Sequence, residues 1–159
     1  IPMELRRSID FPQGKVAVDH PLPEGLRAEL WVSFSGLKTA LLTYVRKNPP
    51  QSEADTARIC AAYQEAIVDA IAKRAEIALR TGRYKTFAVG GGVSLNARLR
   101  EALQAVADRH RVPLLLAQAR YCGDNAAMIA LAAYKKIQFK AKQGKINIDP
   151  NMIVRSWNK

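Results

Sequence analysis

The sequence is poor in the residues that build metal centres and disulfide frameworks. Of its 159 residues, two are cysteine (Cys60 and Cys122) and two are histidine (His20 and His110). Neither cysteine sits in a Cys-x-x-Cys pair, and the histidines lie far apart in the chain. That excludes a zinc ribbon and leaves no histidine pair at metal-ligand spacing. A disulfide framework has no support, so a reducing cytosol is the default compartment. Cys60 falls within an apolar helical periodicity and is read as a small buried hydrophobe. No apolar run approaches the roughly 18–20 residues of a membrane-spanning helix. The opening stretch, IPMELRRSIDFPQGK, shows no apolar core of a secretory leader. The expectation is a cytoplasmic protein without a membrane partner. Gly-x-Gly-x-x-Gly and the P-loop are both missing, as are a zinc-protease histidine pair and a Ser/His/Asp arrangement. Internal repeats and low-complexity segments are absent too.

What is present is a soluble globular composition: 48% hydrophobic residues in a chain long enough for one domain with a sizeable core. Net charge is +11, from 25 Lys and Arg against 14 Asp and Glu. Residues 135–159 hold seven of the cations (Lys135, Lys136, Lys140, Lys142, Lys145, Arg155, Lys159) against the single acid Asp149. Such a tail is either a solvated extension or a contact for a nucleic-acid backbone.

Three segments follow. Residues 1–34 are read as an irregular or β lead-in punctuated by Pro2, Pro12, Pro21 and Pro23, with a short strand at Lys15–Val18. Ala28, Leu30, Val32 and Phe34 alternate with Glu29, Trp31 and Ser33, which predicts a strand ending at Ser33-Phe34. Residues 35–138 are read as an α/β unit. Ser35 is the expected N-cap of a helix running to Lys47, and Asn48-Pro49-Pro50 stops it. Ser52-Glu53-Ala54-Asp55 resembles a capping box and opens a long helix over 53–81, with Gly82 at the C′ position. Phe87–Val89 reads as a buried strand, followed by Gly90, Gly91 and Gly92 and a helix beginning near Asn96. Leu95, Leu99, Leu103 and Val106 are expected on that helix's inner face. Val112–Leu116 reads as a second strand and 123–138 as a last helix. Residues 139–159 are the basic tail.

Helix–strand–helix–strand–helix order predicts parallel strands. Right-handed crossovers then put Gly90–Asn96 and Asp124-Asn125 on one sheet edge, where ligands of open α/β sheets bind. Two strands do not make a stable sheet of that kind, so the unit is expected to be incomplete on its own. The sequence is accordingly read as a piece of a longer protein.

Three motifs in register carry a resemblance. They are Ser33-Phe34-Ser35-Gly36-Leu37-Lys38-Thr39-Ala40, then Gly91-Gly92-Val93-Ser94-Leu95-Asn96, then Cys122-Gly123-Asp124-Asn125-Ala126-Ala127-Met128. Together with Ala62-Tyr63-Gln64-Glu65-Ala66 they resemble the C-terminal lobe of the bacterial tRNA threonylcarbamoyladenosine transferase family (TsaD/Kae/OSGEP), formerly labelled O-sialoglycoprotein endopeptidases. The resemblance implies one lobe of the two-lobed actin/Hsp70/sugar-kinase ATPase fold. It implies transfer of a threonylcarbamoyl group from threonylcarbamoyl-adenylate to N6 of the adenosine following the anticodon of ANN-decoding tRNAs. It implies one divalent metal, iron or zinc, shared with an N-terminal lobe, and helper subunits of the TsaB and TsaE kind. By motif match, Asp124 is the metal ligand, and Gly91, Gly92 and Asn96 meet the nucleotide. Ser35 and Lys38 lie in the stretch near the cleft. From the residues alone, Asn96 is equally a helix N-cap, Asp124 a cap or first-turn acid, and Lys38 a solvated lysine.

The sequence departs from the family pattern in places. The two-histidine helix is not in this chain, Gly90 stands where Ala is usual, Gly123 where Thr is usual, and Leu95 where a small residue is usual. By the same resemblance, this chain alone is expected to be inactive. Two other readings are a non-catalytic ATPase-lobe module that binds a protein or RNA, and a carbamoyl-transfer domain of the hydrogenase-maturation type. The retained Asn96 and Asp124-Asn125 count against the first, and the SFSGLKTA stretch and the Cys-x-Asp-Asn form against the second.

Overall fold

The computed structural model describes residues 2–12 and 28–139. The strand expected at Lys15–Val18, His20 and the basic tail beyond Phe139 lie outside these residues. The described elements are α1 (Met3–Arg6), α2 (Ser35–Lys47), α3 (Glu53–Leu79), β1 (Phe87–Val89), α4 (Ala97–Arg109), β2 (Leu114–Leu116) and α5 (Ala126–Gln138). Short 3-10 turns at Ala28–Leu30, Gly92–Leu95 and Ala119–Tyr121 join them.

The strands β1 and β2 pair in parallel, Phe87 opposite Leu114 and Val89 opposite Leu116. Phe87 N–H to Pro113 O and Ala117 N–H to Val89 O, both 3.0 Å, extend the ladder at its two ends. β2 is therefore shorter than the run Val112–Leu116. Val112 belongs to the end of α4, where its N–H bonds Ala107 O at 3.0 Å, and Pro113 has no N–H to give a ladder. Phe87, Val89 and Leu114 pack on Val68 of α3 and on Leu99 and Leu103 of α4, and these three form the buried core. Leu115, on the other pleat, is 57% exposed. Helices thus cover one face of the sheet among the described residues. α5 buries no residue, and Met128, Ile129, Leu131, Tyr134 and Ile137 all stand exposed along it.

A second core joins α2 to the first half of α3. Leu37, fully buried, packs with Phe11 and Ala62, and Phe11 meets Tyr44 and Tyr63 edge to face at 5.7 and 5.6 Å. Ser52 caps α3: its Oγ accepts from Asp55 N–H at 3.1 Å. The Asp55 carboxylate, shorter than Glu, takes Gln51 N–H at 3.3 Å. At the other end the helix stops at Leu79 with Arg80 as C-cap, and Gly82 closes the turn at φ +66°, its N–H on Leu79 O.

Four expectations are corrected. The strand at 28–34 is instead the 3-10 turn Ala28–Leu30 followed by irregular chain. The carbonyl of Trp31 accepts from Arg74 Nε of α3 at 2.9 Å, so a helix side chain takes the group a strand partner would have used. Ser35 is not the cap of α2. Phe34 holds that position without a side-chain bond, and Ser35 is the first helical residue, its carbonyl taking Thr39 Oγ1. Leu95 is 46% exposed, because it lies in the 3-10 turn before α4 and not on the helix face. Cys60 is exposed, one step off the face of α3 that buries Ala61 and Ala62.

Candidate functional site

The parallel pair brings the chain out of β1 and β2 side by side. Out of β1 comes the glycine turn. Gly91 sits at φ +87°, a conformation L side chains rarely adopt, and this lets the backbone reverse within one residue. A Cβ on Gly90 would meet Ala117 Cβ at 3.6 Å and one on Gly92 would meet Cys122 O at 3.8 Å, so the two segments touch. Ser94, 2% exposed, donates from Oγ to Gly91 O at 2.7 Å. Its Oγ also lies 3.4 Å from Cys122 Sγ. The thiol in turn sits 3.4 Å from Gln118 O. This buried contact ties the two motifs together across 28 residues of sequence.

Asn96 ends the turn and caps α4, its Oδ1 accepting from Leu99 N–H at 3.0 Å. Its Nδ2 donates to Gln64 Oε1 of α3 at 2.9 Å. An amide oxygen has two lone pairs and an amide nitrogen two hydrogens, so one of each stays available. Asn96, Val93 and Leu99 face Cys60, Tyr63 and Gln64 of α3 across a cavity of about 290 Å³. The walls are mostly apolar, and this amide pair is set among them. Gln64, Tyr63 and Cys60 were missed by sequence reasoning. Their spacing along α3 was the available signal.

Next to the Asn96–Gln64 pair, Glu65 and Arg98 tie together the two helices that form the cavity. Glu65, 3% exposed, accepts from Arg98 Nη2 at 2.6 Å and from Nε at 2.9 Å. Hydrogen bonding to Arg98 holds its carboxyl below the ordinary carboxylate value, against the opposing effect of burial. The same bond raises Arg98. Arg100 Nε donates to Ser94 O, bracing the glycine turn from the first turn of α4.

Asp124 follows on the other segment. The cap of α5 is its neighbour Asn125, whose Oδ1 accepts from Met128 N–H at 2.9 Å. α5 accordingly starts at Ala126, three residues later than the expected 123. Asp124 therefore lies just outside the helix. Its carboxylate is exposed and bonds no described residue. Among the described residues no three His, Cys, Asp or Glu side chains cluster for a metal. Asp124 can furnish one oxygen donor, not a site. Gly91, Gly92, Asn96 and Asp124 thus lie on one edge. Ser35 and Lys38 stand exposed on α2, which packs on α3, and no hydrogen bond or ion pair joins them to that edge.

No helix among the described residues is long and apolar enough to cross a membrane. Residues 4–131 match the sequence model of the family TsaD, tRNA N6-adenosine threonylcarbamoyltransferase. Curated relatives carry that same name. One from Trichlorobacter lovleyi is 42% identical over 117 residues, which is 73% of this chain and 34% of that protein. One from Chromobacterium violaceum is 40% identical over 134 residues, 82% of this chain and 39% of that protein. One from an Anaeromyxobacter species is 43% identical over 149 residues, 91% of this chain and 41% of that protein. The chain spans less than half the length of these relatives.

Proposed function

This chain belongs to the tRNA N6-adenosine threonylcarbamoyltransferase family, and from that premise we propose that it supplies one lobe of such a transferase. The lobe is the C-terminal half of a two-lobed actin/Hsp70/sugar-kinase ATPase fold. The reaction moves a threonylcarbamoyl group from its adenylate to N6 of a tRNA adenosine, in the cytoplasm and with helper subunits of the TsaB and TsaE kind. The adenosine part of the adenylate lies against Gly91 and Gly92, where no Cβ keeps it off the backbone. Asn96 offers its spare amide hydrogen and lone pair, held in orientation by Gln64. Ser35 and Lys38 take a peripheral part, Lys38 as a cation near the phosphate or the RNA.

Asp124 contributes one carboxylate oxygen to a divalent iron or zinc whose other protein ligands come from outside this chain. Such a metal, when bound, supplies Lewis-acid polarisation of a carbonyl or phosphate oxygen. The observation that supports the reading is the meeting of the two motif segments at Ser94 and Cys122, which brings the glycine turn and the Asp124 segment side by side. The rival scaffold reading draws on the exposed apolar face of α5, but it gives no role to Asn96 or Asp124.

The test is reconstitution. This chain is co-expressed with the N-terminal part of the Chromobacterium violaceum relative in cells lacking their own enzyme. Nucleosides from total tRNA are then read by mass spectrometry. The threonylcarbamoyl nucleoside is expected with the parent chain and not with Asp124→Ala. Its presence with Asp124→Ala would remove Asp124 from the chemistry.

A further inference from the structure

The end of the sheet away from the glycine turn carries a second cluster. There α3 and α4 finish and β1 and β2 begin, around a cavity of about 270 Å³. Arg80, Lys85 and Arg111 line it, with Tyr84 and His110. No acid does. Of the acids around it, Glu76 is already taken by Arg109 and His110, each at 2.6 Å, Asp108 takes Gln104 Nε2 at 2.8 Å, and Glu29 lies beside Arg80 at a neighbouring cavity. Among the described residues, the side chains of Arg80, Lys85 and Arg111 make no hydrogen bond or ion pair, and all three are exposed. Tyr84 is 51% exposed beside them.

Arg111 adds an independent observation. α4 ends in a Schellman motif: Val112 N–H bonds Ala107 O and Arg111 N–H bonds Asp108 O, both at 3.0 Å. The residue at C′ must enter the left-handed region, which glycine adopts without cost. Arg111 does so at φ +53°, the one non-glycine residue with positive φ among those described. The end of α3 uses Gly82 for its left-handed turn. A helix dipole accounts for Arg109 in the last turn of α4. It gives no reason to hold a strained arginine beyond the helix beside two further unpaired cations.

We propose that this end of the chain docks the phosphate backbone of an RNA. Arg80, Lys85 and Arg111 meet phosphates, and Tyr84 offers a face on which a base stacks. The proposal rests on the reading that the substrate is a tRNA. The patch lies about one α4 length, roughly 20 Å, from the glycine turn. One folded RNA can therefore touch both ends.

The test is fluorescence anisotropy of a labelled tRNA anticodon stem-loop on this chain, from about 50 to 200 mM KCl. The variants are Arg111→Asn and the triple Arg80→Gln/Lys85→Gln/Arg111→Asn. Asn tolerates the left-handed region, so Arg111→Asn is expected to melt no lower than the parent. The triple variant is expected to bind at least about tenfold more weakly, with a log K against log salt slope shallower by roughly two. A parent that does not bind the stem-loop, or a triple variant with unchanged affinity and slope, overturns the proposal. So does an equal loss when poly-glutamate replaces the RNA, which would mark an acidic protein surface as the partner. AMP binding at the glycine turn, followed in the same variants, is expected to be unchanged. Loss of the stem-loop with AMP binding intact leaves the transferase reading standing. Failure of the parent to bind AMP while the stem-loop behaves as expected would overturn that reading alone.

Discussion

Replacing Glu65 with Gln removes a charge from the centre of the α3–α4 contact and little else. The carboxylate is 3% exposed and takes two bonds from Arg98, at 2.6 and 2.9 Å. Breaking one partner of a buried pair costs about 3–5 kcal/mol. The Arg98 side chain is 23% exposed and recovers some hydration. Its other acid, Glu101, lies 3.6 Å away and is 65% exposed, so it adds little. The expected loss is therefore about 2–3 kcal/mol at neutral pH. Its pH dependence follows from the direction of the shift. Arg98 holds Glu65 below the ordinary value of 4.5, so the pair's contribution is fully present above that value and is lost as pH falls through the lowered one. Urea unfolding of parent and Glu65→Gln at neutral pH and near pH 3.5 reads both quantities. The gap is expected to narrow in acid. A Glu65→Leu/Arg98→Met double variant is expected to recover most of the loss, since apolar groups need no partner. A neutral-pH loss under about 0.5 kcal/mol, or a gap that does not change in acid, would show that the Glu65–Arg98 pair does not hold α3 to α4 through its charge.

Other outcomes are equally direct. Asn96→Ala removes the cap of α4 and the bond to Gln64, and is expected to cost about 1–2 kcal/mol by thermal or urea unfolding. Asn96→Ser keeps a capping oxygen and recovers most of that stability, but it does not recover AMP affinity if the amide contacts the nucleotide. Leu103→Ala empties a site 2% exposed and is expected to cost about 2–5 kcal/mol. A thiol reagent is expected to modify Cys60 rapidly in the native chain and Cys122, which is 4% exposed, only on unfolding. Rapid modification of both would contradict the buried Ser94–Cys122 contact.

Much of the unit was legible in the sequence, because local chemistry fixed it. The Ser52 cap and the apolar stripe Leu99–Leu103–Val106 each follow from a few neighbouring residues. The parallel pair followed from element order. The failures were tertiary. An alternating 28–34 looks like a strand, but a strand needs a ladder partner, and the guanidinium of Arg74 claimed the Trp31 carbonyl instead. Cys60 reads as buried because an apolar face looks the same whether it meets another element or lines a cavity. At the site, the sequence named Asn96 and Asp124 but not the buried Ser94–Cys122 contact or the Glu65–Arg98 pair, which no spacing reveals.

On the proposed function, the glycine turn and the Asp124 segment form one nucleotide-binding edge. Amide NMR of this chain titrated with AMP tests it most directly. Saturable shifts are expected, concentrated at Gly90–Asn96, Cys122–Asn125 and the Gln64 side chain. Shifts confined to the far end, at Arg80–Lys85 and Arg111, or no shifts at millimolar AMP, would contradict it.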